Sequence, residues 1–201
     1  LDAVDNTLAN LYEVPVPSSV SSQWGTLPPV AQNAPEFVKS VEGEIIALRG
    51  DDLPVSAFPV DGTWPTATSR YEKRNIALEI PVWDESICIQ CGKCALVCPH
   101  ASIRIKVYDE KYLENAPATF KSMPSKDYKG EIYTIQVAPE DCTGCKVCVE
   151  SCPVSDKKNP KHKALDMHPQ MPLREQEKVN WDFFLSLPEK DRSTIQITNI
   201  R

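Results

Sequence analysis

A chain of 201 residues with a net charge of −6 has room for one medium domain or two small ones. Nothing in its charge distribution resembles a nucleic-acid footprint, and its longest apolar stretches fall far short of the roughly 20 residues a bilayer span needs. The chain starts at Leu1 rather than methionine and carries 18 prolines, so it is expected to be the middle of a longer product.

Val4, Leu8 and Leu11 form a helical stripe that stops before Pro15 and Pro17, expected as the tail of a preceding domain. Residues 14–35 are rich in proline and serine and read as an extended linker. The stretch 37–48 is weakly helical at most, because Gly43 interrupts it. Pro54, Pro59 and Gly62 limit 51–64 to short strands and turns. Residues 76–83 alternate loosely as a strand. Ile103, Ile105 and Val107 alternate as a second, and Ile132, Ile135 and Val137 suggest a third. Between those two, residues 108–130 are expected to form a surface loop with one helical turn. After Pro153 come Lys157, Lys158, Lys161, His162 and Lys163, read as a solvated loop, with His100, His162 and His168 as surface residues. An irregular segment follows. Trp181, Phe183, Phe184 and Leu185 have no place in a small core and are expected to dock on a domain outside the chain.

The chemistry lies in the eight cysteines, which fall into two copies of one phrase. These are Cys88-x-x-Cys91-x-x-Cys94-x-x-x-Cys98-Pro99 and Cys142-x-x-Cys145-x-x-Cys148-x-x-x-Cys152-Pro153. That spacing is the bacterial ferredoxin run for a pair of [4Fe-4S] clusters, in which the fourth cysteine of each run ligates the other cluster. Cys88, Cys91, Cys94 and Cys152 are therefore expected on one cluster, and Cys142, Cys145, Cys148 and Cys98 on the second. Disulfides are a rival reading, but they belong with small secreted domains, and no signal segment opens the chain. Zinc is the stronger rival, since paired Cys-x-x-Cys is also zinc-ribbon grammar. It leaves the third cysteine and the Cys-Pro of each run without a role. Iron held by thiolates implies a reducing compartment, hence the cytoplasm.

Gly92 and Gly144 are expected to supply the dihedrals that bring backbone N–H groups close to cluster sulfur. Pro99 and Pro153 should end the short helical turns and fix how the remote thiolates enter. Ile87, Ile89, Ile103, Val147 and Val149 are candidate shielding residues. With all eight thiolates used, no iron has an open position, and no catalytic residue is assigned. The fold class expected is α+β, a ferredoxin-like 2[4Fe-4S] domain with an internal pseudo-repeat, preceded by a small irregular α/β segment.

Ahead of the first run stand Gly50-Asp51-Asp52-Leu53-Pro54, Asp61-Gly62-Thr63-Trp64-Pro65, Tyr71-Glu72-Lys73-Arg74-Asn75 and Ile80-Pro81-Val82-Trp83. This series resembles the Glu-Lys-Arg region of the pyruvate:ferredoxin (flavodoxin) oxidoreductases, which is followed in that family by a two-cluster ferredoxin domain. Tyr12 to Pro17 likewise resembles the end of the family's preceding domain. The resemblance divides the chain into a tail and linker (1–35), a Glu-Lys-Arg connecting domain (36–80), the ferredoxin-like domain (81–165) and a C-terminal linker toward a thiamine diphosphate domain (166–201). It implies an electron relay inside a cytoplasmic homodimer that oxidises pyruvate to acetyl-CoA and CO2. Thiamine diphosphate, Mg and a third [4Fe-4S] cluster would sit in the parts outside this chain, and ferredoxin or flavodoxin would accept the electrons. Glu72, Lys73 and Arg74 are expected to form an interdomain charge cluster. Two alternatives are a scaffold in which the clusters only hold the fold, and a ferredoxin-like subunit of another redox complex.

Overall fold

The computed structural model describes residues 2–23 and 28–195. They divide into two compact units with the boundary between Glu72 and Lys73. Among the described residues no helix is long and apolar enough to cross a membrane.

In the first unit the apolar stripe near the start forms only one short helix, α1 (Asp2–Asp5), and a 3-10 turn at Leu8–Asn10. Val4, Leu8 and Leu11 are exposed. A five-residue π-helical stretch, Val38–Glu42, runs into α2 (Gly43–Ile46). Val30, Ala34 and Val38 are buried together there, with Ile46 and Tyr71 against them. The Ala31 N–H donates to the Tyr71 carbonyl at 2.9 Å, tying the two ends of the unit. Val30 and Ala34, expected in the linker, thus belong to the core of this unit.

The second unit is built on two antiparallel sheets. Strand β1 (Glu79–Trp83) comes first, followed by α3 (Lys93–Leu96), β2 (Ile103–Asp109), a two-residue β3 (Met123–Pro124), β4 (Glu131–Val137), α4 (Val147–Glu150), β5 (Leu165–Pro169) and α5 (Gln170–Ser186). The pair β1–β5 makes one sheet, and β2–β4–β3 makes the other. Pro81 and Pro169 are tolerated because a two-stranded sheet consists of edges.

Period-two alternation gives the three-stranded sheet two different faces. Ile103, Ile105, Val107, Tyr133, Ile135 and Val137 point into the core that contains the cysteines. On the other face Tyr108 and Ile132 pack with Phe184, Leu187, Trp181 and Phe183. Arg104 lies over the Trp181 ring at 5.2 Å and Lys106 over Phe184 at 5.1 Å. Lys106 is buried, and its Nζ donates to the Leu187 carbonyl at 2.5 Å and pairs with Glu189 at 3.0 Å.

These contacts correct the expectation for the C-terminal stretch. Residues 166–195 are not a linker, and Trp181, Phe183 and Phe184 do not wait for an absent domain: α5 covers the second face of the sheet. Leu185, expected to dock with them, stays exposed. Polar contacts pin the helix, with Asn180 Oδ1 accepting from Thr119 at 2.9 Å and the Gln136 amide donating to Glu177 at 2.7 Å. Pro172 does not interrupt the helix because it lies in the first turn, where a backbone N–H has no intrahelical partner anyway. The rest of the proposed linker, 196–201, lies outside the described residues.

Two further expectations change. Residues 73–80, assigned to the connecting domain, lie in the second unit. His162 is no simple surface residue: its two ring nitrogens reach Asp84 at 2.7 Å and Asp166 at 2.6 Å.

Candidate metal centre

All eight cysteines are free, and Cys94, Cys142 and Cys148 are buried. They divide four and four. One cavity is lined by Cys88, Cys91, Cys94 and Cys152, and a second by Cys98, Cys142, Cys145 and Cys148. Among the described residues no three His, Cys, Asp or Glu side chains converge on a point suited to a single ion. The thiols instead stand around two separate voids.

The sheet formed by β1 and β5 sets the distance between these voids. Trp83 pairs with Leu165 and Pro81 with Met167. Trp83 and Leu165 border the first cavity, and Pro81 and Met167 the second. One two-residue step along a shared ladder, roughly 7 Å, therefore carries the wall from one cavity to the next. Short helices α3 and α4 pack against each other, and they carry Cys94 and Cys148. Ile103 borders the second cavity and Ile135 the first.

Both cysteine loops use left-handed backbone at the same two offsets, two and four residues after the first cysteine. In the first loop these are Gln90 (φ 60°) and Gly92 (φ 70°), and in the second Gly144 (φ 69°) and Lys146 (φ 66°). Glycine thus fills opposite offsets in the two loops. The expected roles of Gly92 and Gly144 cover only half of the strained positions. Aligning the two runs in the sequence would have exposed Gln90 and Lys146, since each stands where the other loop has glycine. Gln90 is held by its side chain, which donates to the Pro124 carbonyl and accepts from the Lys126 N–H, both at 2.8 Å. Glycine at 144 has a second cause, because a Cβ there would meet the Glu79 carbonyl at 3.0 Å.

The turns aim backbone N–H groups at sulfur. Gln90 N–H donates to Cys88 Sγ at 3.3 Å, Gly144 N–H to Cys142 Sγ at 3.4 Å, and Ser102 N–H to Cys98 Sγ at 3.3 Å. Pro99 borders the second cavity, and Pro153 follows directly on Cys152, just past the end of α4. Of the expected shielding residues, Ile103 is buried, whereas Ile89 and Val147 are exposed.

Burial pushes the Cys94 thiol up to about 12, against the Ala95 N–H that favours the thiolate. It raises Cys148 to about 11, with Cys142 nearby adding to the effect. Packed thiolates without positive charge among them are costly in this interior. Iron supplies that charge, so the donor set fits a group that takes four thiolates per cavity.

The segment leading into β1, together with the first residue of that strand, holds the second loop. Lys73 Nζ reaches both carboxylate oxygens of Asp141, Asn75 N–H donates to the Glu140 carbonyl at 3.2 Å, and Lys146 pairs with Glu79 at 3.1 Å.

Residues 26–77 match the family model for EKR, described as a domain of unknown function, and residues 87–155 match a 4Fe-4S dicluster domain. A pyruvate-flavodoxin oxidoreductase of Nostoc is 53% identical over 210 residues, taking in 100% of this chain and 18% of the relative. That of Trichormus variabilis is 52% identical over 207 residues, with 100% and 17% covered. The chain carries the Glu-Lys-Arg region and the two-cluster domain of the pyruvate:ferredoxin (flavodoxin) oxidoreductase family. A pyruvate:ferredoxin oxidoreductase of Moorella thermoacetica is 42% identical over 189 residues, covering 93% of this chain and 16% of the relative. This family segment spans less than a fifth of the length of these curated relatives. The dicluster match gives it two [4Fe-4S] clusters and a ferredoxin-like domain of mixed helix and strand.

Proposed function

We propose that the chain is the electron relay of a pyruvate:ferredoxin or pyruvate:flavodoxin oxidoreductase. Cys88, Cys91, Cys94 and Cys152 hold one [4Fe-4S] cluster, and Cys142, Cys145, Cys148 and Cys98 the other. The observation that carries this reading is the four-and-four division of the thiols around two cavities one ladder step apart. When bound, the clusters supply one-electron chemistry at low potential. The chain's own residues do the rest. The eight thiolates fix both positions, N–H groups of Gln90, Gly144 and Ser102 support three of the sulfurs, and Trp83, Ile103, Ile135 and Leu165 keep water out.

Matching offsets of the cysteines, the left-handed residues and the helices α3 and α4 support an internal pseudo-repeat. No catalytic residue is proposed, since every thiolate is used. Pyruvate oxidation to acetyl-CoA and CO2, with thiamine diphosphate, Mg and a third cluster, belongs to the rest of a homodimeric parent. Ferredoxin or flavodoxin takes the electrons, in a reducing compartment such as the cytoplasm.

Anaerobic iron and sulfide analysis with EPR of the dithionite-reduced protein tests the relay. The expected result is about eight irons and eight sulfides per chain with a spin-coupled signal from two reduced cubes. Zinc in place of iron, or silence on reduction, would overturn it.

A further inference from the structure

Three buried side-chain polar atoms among the described residues lack a hydrogen-bond partner: Trp83 Nε1, Ser102 Oγ and Tyr133 OH. Leaving such a group dry and unpaired costs about 1–3 kcal/mol, so native interiors rarely tolerate it without a reason. Chance placement would scatter them through the second unit. All three residues instead stand in or beside the core that holds the cysteines. Ser102 is 2% exposed and lines the second cavity. Trp83 is 4% exposed and lines the first. Neither has its backbone idle: the Ser102 N–H is committed to Cys98 Sγ, its carbonyl accepts from Ala138, and the Trp83 carbonyl accepts from Lys121. Ser102 therefore brings one unused donor to the wall of the second cavity, and Trp83 brings one to the wall that the first cavity shares with a further pocket lined by Thr119, Lys121, Glu177 and Asn180. Tyr133 packs edge-on against Trp83 but borders a separate, wider groove, so its hydroxyl is not assigned.

We propose that Trp83 Nε1–H and Ser102 Oγ–H are hydrogen-bond donors to the sulfur of the two clusters, one donor to each, and that they tune the two reduction potentials separately. The proposal rests on the relay reading. Its physical basis is that a reduced cluster carries one more negative charge than an oxidised one. A donor aimed at sulfur stabilises the reduced form more and raises the potential, in a dry site where such bonds are strong. Trp83 and Ser102 touch no iron and are positioning and tuning residues, not ligands. The two donors differ in kind: the indole N–H is fixed by a buried ring, whereas the hydroxyl rotates. The relay thereby gains two independent adjustments on a ligand set made only of cysteine.

Trp83→Phe keeps a ring and removes the donor, Ser102→Ala removes the hydroxyl, and Ser102→Thr restores it. Iron and sulfide content is measured first, then both midpoint potentials by EPR-monitored titration. The expected result is full iron content in all three. Trp83→Phe should shift one potential negative, Ser102→Ala the other, and Ser102→Thr should sit near the parent protein. Unmoved potentials at full iron content, or both potentials moving together in each variant, would overturn the proposal and leave the relay standing. Absence of two reducible clusters in the unsubstituted protein would instead overturn the relay. If Trp83→Phe loses iron, indole-15N labelling of the unsubstituted protein decides. A 15N hyperfine coupling to the reduced cluster supports the bond, and its absence rejects it.

Discussion

Lys73 Nζ holds both carboxylate oxygens of Asp141 at 2.7 Å, and Asp141 directly precedes Cys142. One residue of the Glu-Lys-Arg triplet is thereby joined to the entrance of the second cysteine loop. Both side chains are about a third exposed, at 31% and 36%. Solvent screening then limits the pair to less than about 1 kcal/mol of global stability. Its effect should be local. Lys73→Met is expected to leave the unfolding midpoint almost unchanged while iron leaves the second cavity several-fold faster in a chelator. Biphasic release, with only one phase accelerated, is the signature, and equal rates for both phases would reduce Lys73 to an ordinary surface charge.

The left-handed positions of the two loops should respond unequally to substitution. Gly92→Ala meets only backbone strain, since the nearest atom to its new Cβ is Ile105 Cδ1 at 3.7 Å; the expected cost is about 1–2 kcal/mol. Gly144→Ala adds a 3.0 Å encounter with the Glu79 carbonyl and should be clearly worse. Lys146→Gly should stabilise by about 1 kcal/mol, because relief of φ outweighs an exposed ion pair. Gln90→Gly relieves similar strain but deletes two part-buried hydrogen bonds and the packing of a buried side chain, so it should destabilise. Thermal unfolding of the four variants, each with its iron content, orders them.

Phe184 is 0% exposed and stacks on Trp181 at 5.4 Å. Phe184→Ala should cost about 3–5 kcal/mol. Loss on that scale, read by denaturant unfolding, would show that α5 folds with the cluster domain, whereas a cost near zero would return it to the role of a detached linker.

These contrasts show which parts of the molecule the sequence makes legible. Both cysteine runs were readable because metal chemistry restricts spacing more than any packing rule does. Strand β2 is readable because Ile103, Ile105 and Val107 alternate toward one core; β4 is suggested by Ile132, Ile135 and Val137, of which Ile132 packs on the opposite face. What hid α5 was the polar character of its partner face. Lys106, Thr134 and Gln136 look like solvent positions, yet they are buried, satisfied by hydrogen bonds and, for Lys106, the Phe184 ring, while Arg104 stays exposed and lies over the Trp181 ring. Strand β5 was hidden by His168 and Pro169, residues that suit a strand only when it is an edge. The left-handed turn at Gln90 is legible from alignment of the two runs, but what holds it is not, because the restraint comes from Pro124 and Lys126, more than thirty residues away.

His162 gives the cluster domain a pH response. Its ring lies between Asp84 at the end of β1 and Asp166 in β5, and the Lys163 N–H also donates to Asp166. Hydrogen bonding to Asp84 and then Asp166 raises its pKa above the ordinary 6.5. A raised pKa means the contribution is complete below about 6.5 and fades as pH climbs through the elevated value. Asp84 is shifted down, first by Ser86 and then by His162, so its share is present above its ordinary 3.8 and is lost only in stronger acid. Stability of the 153–166 segment should therefore fall from pH 6 to pH 9. Hydrogen exchange across that range should show the slope, and His162→Gln should flatten it; an unchanged slope in the variant would assign the pH response elsewhere.

The opposite placement of glycine in the two cysteine loops makes them non-exchangeable parts. Residues 88–94 transplanted over 142–148 would bring glutamine against the Glu79 carbonyl, where its Cβ would stand 3.0 Å from the oxygen, and far from the Pro124 and Lys126 groups that hold it. The reverse graft would leave those two groups without their amide. Symmetry in the cysteine pattern thus conceals a handedness in the scaffold: each loop is keyed to its own half, and a chain assembled from two copies of either half would fail to close.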